Sequence, residues 1–361
     1  LLAALKLGKL DYHDRCRVQT LADENDLEAI RRCLCDVLEQ EHADEWIVNL
    51  TGGTKPMSIG AYDIFLQQPA RLIYAAVNQP DRFLDFRGRD PETCSYRPTI
   101  EEFLAGYGFQ FPRALKDILD EENMLRFLPR LAQQSTRRCP DGPLRLCLTS
   151  AKAERDWWSQ ARRKGVRIEA GEVTIPDALV RSEVCRAFQL SAQEEHVTGH
   201  LSNRGAKFLT GGWLEVLLWD LLTRHQDALQ AWDVRLGPEI RHAYSQVNNE
   251  FDIAFMHGYT LSWIECKSGT QEHDPKADIL YKVEAVTRQI GALRARAFLA
   301  TTGQNILDTG RDGQLRVKPH IEHRASLYQC RILTRQQLQQ LAENPDDADL
   351  VRRTFFPTPT E

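Results

Sequence analysis

Residues 249–267 read NEFDIAFMHGYTLSWIECK, two apolar runs separated by a short turn. Gly258 is the first of the two central turn residues, where glycine is typical of a type II′ hairpin turn. With this turn the strand register places Asp252 directly opposite Glu265, with Cβ atoms ~5 Å apart. Strand alternation also puts Glu265 and Lys267 on the same face. The stretch therefore predicts a β-hairpin that brings two carboxylates and one lysine together.

Two opposed carboxylates repel each other unless a positive charge lies between them. A divalent cation is suited to this position, because hard carboxylate oxygens bind Mg²⁺ or Mn²⁺ well. A third acid, Glu215, lies in the segment WLEVLL, a predicted helix that is apolar on nearly every side. A buried carboxylate without a partner is strongly destabilising. Glu215 is therefore expected to share the metal with Asp252 and Glu265.

Another interpretation of the same acids stays open. Two acids and a lysine on neighbouring strands also occur as a surface ion-pair ladder, which contributes little stability. Glu250 shares a predicted strand face with Asp252. That position fits either a catalytic acid that supports the metal ligands or a solvated acid at a strand edge.

The elements around the hairpin follow one another in the order helix, two strands, helix, strand. From about Ser202 onward, the sequence predicts a helix at 211–224, strands at 250–256 and 260–267, a helix at 277–292 and strands at 296–301 and 328–333. A final helix begins at Thr334, where Thr-x-x-Gln has the form of a capping box.

Basic residues near the helix after the hairpin have two interpretations. Lys282 and Glu284 either lie at the edge of the site or form an ordinary ion-pair face of that helix. Arg288, Arg294 and Arg296 are candidates for a phosphate-binding track.

In this arrangement the C-terminal part resembles the PD-(D/E)xK nuclease superfamily, which has a restriction-endonuclease-like fold. The resemblance implies phosphodiester hydrolysis, with Asp252 and Glu265 holding the metal and the carbonyl of Ile264 or Cys266 assisting. It implies that Glu215 completes the metal shell and that Lys267 orients or deprotonates the attacking water. The sequence departs from the commoner Pro-Asp pattern by placing a phenylalanine before the aspartate.

The N-terminal part alternates strands and helices. An amphipathic helix is predicted at 26–38 with Asp26 as its cap, followed by a strand at 46–50, a helix at 56–66 and a strand at 71–77. This order predicts a parallel α/β sheet. Between the first strand and its helix lies the glycine-rich turn NLTGGTK at 49–55, where backbone N–H groups suit an anion. A tight turn whose glycines serve only geometry is the alternative.

The turn resembles the characteristic loop of CARF domains, the Rossmann-like sensors in ancillary proteins of type III CRISPR systems. A CARF domain joined to a PD-(D/E)xK nuclease is similar to the cyclic-oligoadenylate-activated effector nucleases of antiviral defence. The resemblance implies a homodimer with one pocket for cyclic tetra-adenylate, which activates the nuclease. The residues matched to the ligand-binding loop are Asn49, Thr51, Gly52, Gly53, Thr54 and Lys55.

The predicted fold class is α/β, in three regions: a CARF-like sensor at 1–110, a mixed connector at 111–201 and the nuclease domain at 202–361. The first strand of the sensor is expected to precede Leu1, so that part of the pocket is not assigned. Within the connector, the sequence predicts helical segments near 112–132 and a Pro-Asp-Gly turn at 140–142.

Composition narrows the function classes. The net charge of −5 over 361 residues argues against a protein that coats nucleic acid with its whole surface, yet allows a local basic groove. Nine scattered cysteines without a CxxC pair predict reduced thiols and a cytoplasmic location. No apolar run is long enough to cross a membrane. The sequence thus predicts a ligand-activated endonuclease acting on DNA or RNA, the alternative being a ligand-responsive nucleic-acid-binding regulator without cleavage.

Overall fold

The computed structural model describes residues 16–76, 79, 81–110, 130–136, 144–148, 150–242, 248–268, 280, 282–284, 295–310 and 315–357. The chain divides into two compact units, residues 1–98 and residues 99–361. The connector turn at 140–142 and most of the predicted segment at 112–132 lie outside the described residues, as do Arg288 and Arg294. The three-region division into 1–110, 111–201 and 202–361 stays a prediction.

The described residues of the first unit form two helices and a four-stranded sheet. Its elements are α1 (Leu27–Gln40), β1 (Trp46–Asn49), α2 (Lys55–Phe65), β2 (Ala70–Ala75), β3 (Arg82–Asp85) and β4 (Glu92–Thr93). Strands β1 and β2 are parallel and joined through α2, while β3 and β4 continue the sheet antiparallel. A small core of Leu50, Phe65, Ala70 and Leu72 lies beneath the helices. The predicted strand–helix–strand unit is therefore present, and Asp26 caps α1 as expected.

The second unit begins with α3 (Ile100–Gly106) and β5 (Phe109–Gln110). It continues with β6 (Arg145–Leu146), α4 (Ala151–Lys164), β7 (Val166–Thr174), α5 (Ala178–Phe188), β8 (Ser191–Gln193) and β9 (His196–Leu201). Strands β6 to β9 form an antiparallel sheet in the order β6-β7-β9-β8.

The rest of the second unit surrounds a five-stranded sheet. Its elements are α6 (Asn203–Lys207), a π-helical turn (Phe208–Gly212), α7 (Trp213–Arg224), α8 (Gln226–Leu229), β10 (Ala231–Leu236), β11 (Glu239–His242), β12 (Asn248–Glu250), β13 (Ile253–His257), β14 (Thr260–Lys267), β15 (Ala295–Thr301), β16 (Leu307–Thr309), β17 (Leu315–Val317), α9 (Pro319–Leu327), β18 (Cys330–Leu333), α10 (Arg335–Glu343) and α11 (Ala348–Phe355).

The sheet order is β10-β13-β14-β15-β18, antiparallel from β10 to β14 and parallel from β14 to β18. Apolar side chains of α7, α10 and α11 cover one face of this sheet. Those of α3 and α9, with Leu280 and Val283, cover the other. The unit is thus a layered α/β structure, as predicted, and α10 begins with the expected capping box at Thr334.

The hairpin has the predicted register, because Ile253 pairs with Ile264 and His257 pairs with Thr260. The predicted turn type is wrong. Gly258 and Tyr259 have φ of 54° and 59°, and positive φ at both central positions defines a type I′ turn. Both turn types have two central residues, so the register is the same with either.

The predicted strand at 250–256 is interrupted. β12 ends at Glu250 and pairs with β11 in a separate three-stranded sheet, and β13 begins only at Ile253. At the break, the Phe251 N–H donates to the Pro238 carbonyl and the Gly237 N–H donates to the Asp252 carbonyl. The chain therefore changes sheets immediately before the aspartate of the predicted site.

No helix among the described residues is long and apolar enough to span a membrane.

Candidate nuclease site

Four elements supply the candidate site. Glu265 and Lys267 lie at the end of β14, Asp252 precedes β13, and Glu215 lies in the first turn of α7. The fourth element is the helical turn 282–284, which contributes Lys282. The first four residues were predicted from the sequence as one site, whereas Lys282 was expected either at the edge of the site or on an ordinary ion-pair face of its helix.

Glu265 is completely buried, with 0% of its surface exposed. The Lys267 Nζ lies 2.5 Å from its Oε1, and the Lys282 Nζ contacts its Oε2. Neither carboxylate oxygen has a regular hydrogen bond within the described part of the chain. Contacts with the two ammonium groups thus offset the charge of this carboxylate.

Asp252 is 9% exposed and lies beside Glu265. Its Oδ2 accepts a 2.6 Å hydrogen bond from the Cys266 N–H, and its Oδ1 is 3.8 Å from the Lys282 Nζ. Burial, and then the charges of Glu265 and Glu215, raise the pKa of Asp252 to about 7, against the opposing effect of Lys282. Burial and the neighbouring acids therefore favour the protonated form of Asp252.

Lys267 carries its charge in a partly buried position. Burial lowers the pKa of Lys267, but the Glu265 carboxylate outweighs burial, and the pKa is raised overall. Lys267 is consequently protonated at neutral pH in this arrangement. It can supply positive charge and hydrogen-bond donors, whereas proton abstraction would first require that its pKa fall.

Glu215 is half-buried, although the residues on both sides of it are completely buried. Its charge raises the pKa of Asp252 and contributes to the raised pKa of Cys266, so its carboxylate lies near both. The π-helical turn before α7 is fastened to the end of β14, because the Ser268 hydroxyl donates to the Thr210 carbonyl at 2.9 Å. Single π-turns within helices are frequent at functional sites.

Cys266 alternates with Glu265 and Lys267 along β14, so its side chain lies on the other face of the sheet and packs against the core. Burial raises the pKa of its thiol well above the usual value. A role for Cys266 at the metal through its backbone carbonyl stays a prediction.

Glu250 lies in the three-stranded sheet, opposite Glu239, with an exposed side chain. Asp252 and Glu265 are buried. The strand break at Phe251 separates Glu250 from the hairpin, so strand alternation no longer relates Glu250 to Asp252. A catalytic role for Glu250 stays a prediction, and the geometry does not support it.

The sequence does not distinguish Lys282 from a lysine of an ordinary helical ion pair, because both have the same pattern. Two residues further on, the Glu284 Oε1 accepts a 3.0 Å hydrogen bond from the Nε of Arg324 on α9. This ion pair fixes the turn that presents Lys282 to the two acids. Arg296 lies near the start of β15, opposite Ser262, whereas Glu265 lies opposite Leu299 further along the same strand.

The donor set of the acid cluster fits a hard divalent cation. Asp252, Glu265 and Glu215 offer only carboxylate oxygens, and both oxygens of Glu265 lack regular hydrogen bonds among the described residues. The described residues nevertheless contain no group of three or more histidine, cysteine, aspartate or glutamate side chains already arranged for a metal. In this structure, the two lysines provide the positive charge instead.

The glycine-rich turn of the first unit is ordered by its own side chains. The Asn49 Oδ1 accepts the Thr51 N–H at 2.9 Å, and the Thr51 Oγ1 accepts the Ala75 N–H at 2.8 Å. Thr54 caps α2 and donates its hydroxyl to the Glu24 carbonyl at 2.9 Å. These three side-chain oxygens, at residues matched to the ligand-binding loop, therefore serve the turn itself.

Three other residues of the turn are exposed. Gly52, Gly53 and Lys55 all face solvent. Gly53 has a φ of 82°, and an added Cβ would lie 3.1 Å from the Met57 Sδ. At Gly52 an added Cβ would meet no atom of the described residues within 4 Å. The fold thus requires glycine at position 53 but not at position 52.

Comparison with protein-family models identifies two domains in the chain. Residues 7–103 match the Card1 CARF domain, and residues 202–325 match the Card1-like endonuclease domain. Asn49 to Lys55 lie within the first match, and all the acids and lysines of the candidate site lie within the second. No curated protein sequence matches the chain.

Solved structures share the fold at low sequence identity. The chain is similar to Can2 from Sulfobacillus thermosulfidooxidans in complex with cyclic tetra-adenylate, with 20% identity, a TM-score of 0.63 and coverage of 90% of this chain and 82% of Can2. It is also similar to protein VC1899 from Vibrio cholerae, with 18% identity, a TM-score of 0.67 and coverage of 91% of this chain and 83% of that protein.

Proposed function

Because the chain joins a Card1 CARF domain to a Card1-like endonuclease domain, we propose that it is a metal-dependent endonuclease of type III CRISPR defence, activated by cyclic tetra-adenylate. The observation that carries the proposal is the buried carboxylate of Glu265, which lies between Lys267 and Lys282 and beside Asp252. A purely structural ion pair does not require two buried acids with a third beside them, since buried charges are costly unless fully satisfied. The raised pKa of Asp252 beside Glu265 is typical of a carboxylate in a catalytic site.

In the proposed mechanism, the carboxylates of Asp252, Glu265 and Glu215 and the Cys266 carbonyl would hold Mg²⁺ or Mn²⁺. When bound, the cation supplies a Lewis acid and an activated water for phosphodiester hydrolysis. Lys267 stays protonated, holds the attacking water and offsets the negative charge that develops on the phosphorus oxygens. Lys282, which contacts Asp252 and Glu265, would supply further positive charge at the phosphate.

For the sensor, the proposal assigns ligand contact to the exposed part of the turn. The backbone at Gly52 and Gly53, the Asn49 amide and the Lys55 ammonium are exposed and suit the phosphates of a cyclic oligoadenylate. Thr51 and Thr54 shape the turn through the hydrogen bonds described above. A homodimer with one shared ligand pocket is part of the proposal and rests on the CARF resemblance.

The test is a cleavage assay with Mn²⁺ on labelled single-stranded RNA, single-stranded DNA and supercoiled plasmid, each with and without cyclic tetra-adenylate. The matched variants are Glu265→Ala/Lys267→Ala in the site and Lys152→Ala on the exposed surface of α4. We expect cleavage only with the ligand, retained in the surface variant and lost in the site variant. Equal cleavage with and without ligand would overturn the activation, and cleavage by the site variant would overturn the site.

One observation favours a second candidate function. The two lysines already offset the charge of Glu265, and no ready metal-binding group of three side chains occurs among the described residues. A cyclic-oligoadenylate-responsive regulator that binds nucleic acid without cutting it would need no metal. In the same assay, ligand-dependent retention of intact nucleic acid, without products in any lane, would favour this candidate.

A further inference from the structure

A second group of basic side chains lies away from the acid cluster, near the starts of β15 and β18. It lines a cavity of about 570 Å³ whose walls include Arg296, Arg331, His257, Phe356 and Glu322. Arg296 and Arg331 lie on neighbouring parallel strands, because Ala297 pairs with Cys330. The cavity belongs entirely to the second unit, and none of the residues proposed above for catalysis lines it.

Neither arginine has a carboxylate partner among the described residues. The Arg296 guanidinium lies 5.3 Å from the centre of the Phe356 ring, and its Nη1 is 3.5 Å from the His257 Nδ1. The Arg331 Nε donates a 2.7 Å hydrogen bond to the Thr354 carbonyl. Each side chain is thus held in place by a neutral group, while its remaining guanidinium N–H groups are available to a ligand.

The surroundings of these arginines disfavour their charge. Burial lowers the pKa of both Arg296 and Arg331. By contrast, hydrogen bonds to acidic side chains raise the pKa of Arg31 and Arg71 elsewhere in the chain. The protein therefore pairs other arginines with carboxylates and leaves two charges at this cavity without one.

The other titratable groups at the cavity do not cancel the positive charge of the two arginines. His257 is stacked on Phe356 with ring centres 3.7 Å apart, and its pKa is lowered to about 4 by burial and by Arg296, so it is neutral. The exposed Glu322 of α9 contributes one negative charge and has no ion pair with either arginine. The cavity keeps a net positive charge.

We propose that this cavity is an oxyanion site that binds a phosphate group through Arg296 and Arg331. Planar guanidinium groups offer paired donors to phosphate oxygens, and the phosphate belongs either to a nucleic-acid strand or to a free nucleotide. An adjoining cavity of about 400 Å³ shares His257 and Phe356, and its lining adds Arg352, which is paired with Asp349, and Asp227. This site does not depend on the proposed nuclease activity, because binding can be measured without cleavage.

The experiment measures binding of three probes to the full chain in EDTA: a fluorescent single-stranded oligonucleotide, adenosine 5′-monophosphate and inorganic phosphate. The variants are Arg296→Gln and Arg296→Gln/Arg331→Gln, with Arg353→Gln as a control. Arg353 is an exposed residue of α11, 3.7 Å from Asp347, and does not line the cavity. The single variant keeps the Arg331–Thr354 hydrogen bond, and thermal unfolding of each protein checks that it is folded.

We expect at least one probe to bind about tenfold more weakly to the single variant and weaker still to the double variant, with no change in the control. Loss of oligonucleotide binding alone identifies a strand site, and loss of monophosphate binding identifies a nucleotide site. The proposal is overturned if all probes bind the double variant as they bind the unmodified chain, or if none binds the unmodified chain.

Discussion

Glu265 has no exposed surface, and its two oxygens face lysine ammonium groups from two different elements. The pair Glu265–Lys267 could be predicted from the sequence, because strand alternation places them on one face. Lys282 could not be predicted with the same strength. Its segment follows β14 by many residues, and only the tertiary fold brings it back to the two acids.

Lys282→Ala tests whether this lysine stands in for a cation. We expect the variant to unfold more readily than the unmodified chain in EDTA, by about 1 kcal/mol once the partial exposure of Lys282 is considered. We also expect Mn²⁺ to raise the melting temperature of the variant more than that of the unmodified chain. Thermal unfolding with and without Mn²⁺ measures both effects.

Lys152→Ala, at an exposed position of α4, is the matched control for that measurement. If both lysine variants respond alike to EDTA and Mn²⁺, Lys282 does not act as a substitute for the cation.

His257 predicts a pH dependence of stability. Its folded-state pKa is lowered from 6.5 to about 4, by burial first and then by Arg296. Between these pH values the imidazole of the unfolded chain binds a proton that the folded chain does not bind. The contribution of His257 to the free energy of unfolding is therefore complete above pH 6.5 and is lost as the pH falls towards 4. The full shift corresponds to about 3 kcal/mol, and solvent screening of the half-buried ring reduces the expected effect to about 1 kcal/mol.

Urea unfolding at about pH 7 and about pH 5 measures this effect. The His257→Gln variant should lose less stability between the two pH values than the unmodified chain does. An equal loss in both proteins would show that His257 does not titrate in this way.

At the scale of single elements, the hairpin was the most predictable feature, because two apolar runs around a two-residue turn determine their register. The turn type was less predictable, since glycine at the first position suits both II′ and I′ turns, and Tyr259 in the left-handed region is unusual. The break between β12 and β13 could not be predicted from the sequence, because the residues around it form one continuous strand-like pattern. The π-helical turn before Glu215 could not be predicted either, since its residues are compatible with an ordinary α-helix.

Substitutions of the two glycines of the sensor turn distinguish a structural role from a role in ligand binding. Gly53→Ala should destabilise the protein by about 1 kcal/mol or more, because an alanine at φ 82° is strained and its Cβ approaches Met57. Gly52→Val should leave stability within about 0.5 kcal/mol, since a Cβ at this exposed position meets no described atom within 4 Å. We nevertheless expect Gly52→Val to weaken binding of cyclic tetra-adenylate, because the side chain obstructs approach to the backbone.

Thermal unfolding and calorimetric titration with cyclic tetra-adenylate check this pair. Normal ligand affinity in a stable Gly52→Val protein would mean that the turn does not contact the ligand and that its glycines serve geometry alone.

At the scale of the whole molecule, the sequence predicted two functional regions, and the family models match both. If ligand binding to one region favours nucleic-acid binding by the other, thermodynamic reciprocity requires the reverse effect. A Glu265→Gln protein with intact single-stranded DNA should therefore bind cyclic tetra-adenylate more tightly than the same protein alone.

We expect this coupling to be about 5-fold or greater, as is usual for allosteric pairs. Calorimetric titration with and without DNA measures it, and a Gly52→Val/Glu265→Gln protein is the control for binding at the sensor turn. Identical affinities with and without DNA would contradict coupling through binding.

The central claim is that the acid cluster at Glu265 is a metal site, and it is tested most directly by calorimetric titration of Mn²⁺ into the full chain without nucleic acid. The matched protein is Glu265→Gln, which keeps the shape of the side chain and removes its charge. The account predicts one saturable Mn²⁺ site per chain that is lost in Glu265→Gln. Equal Mn²⁺ binding by both proteins, or no binding by the unmodified chain, would contradict it.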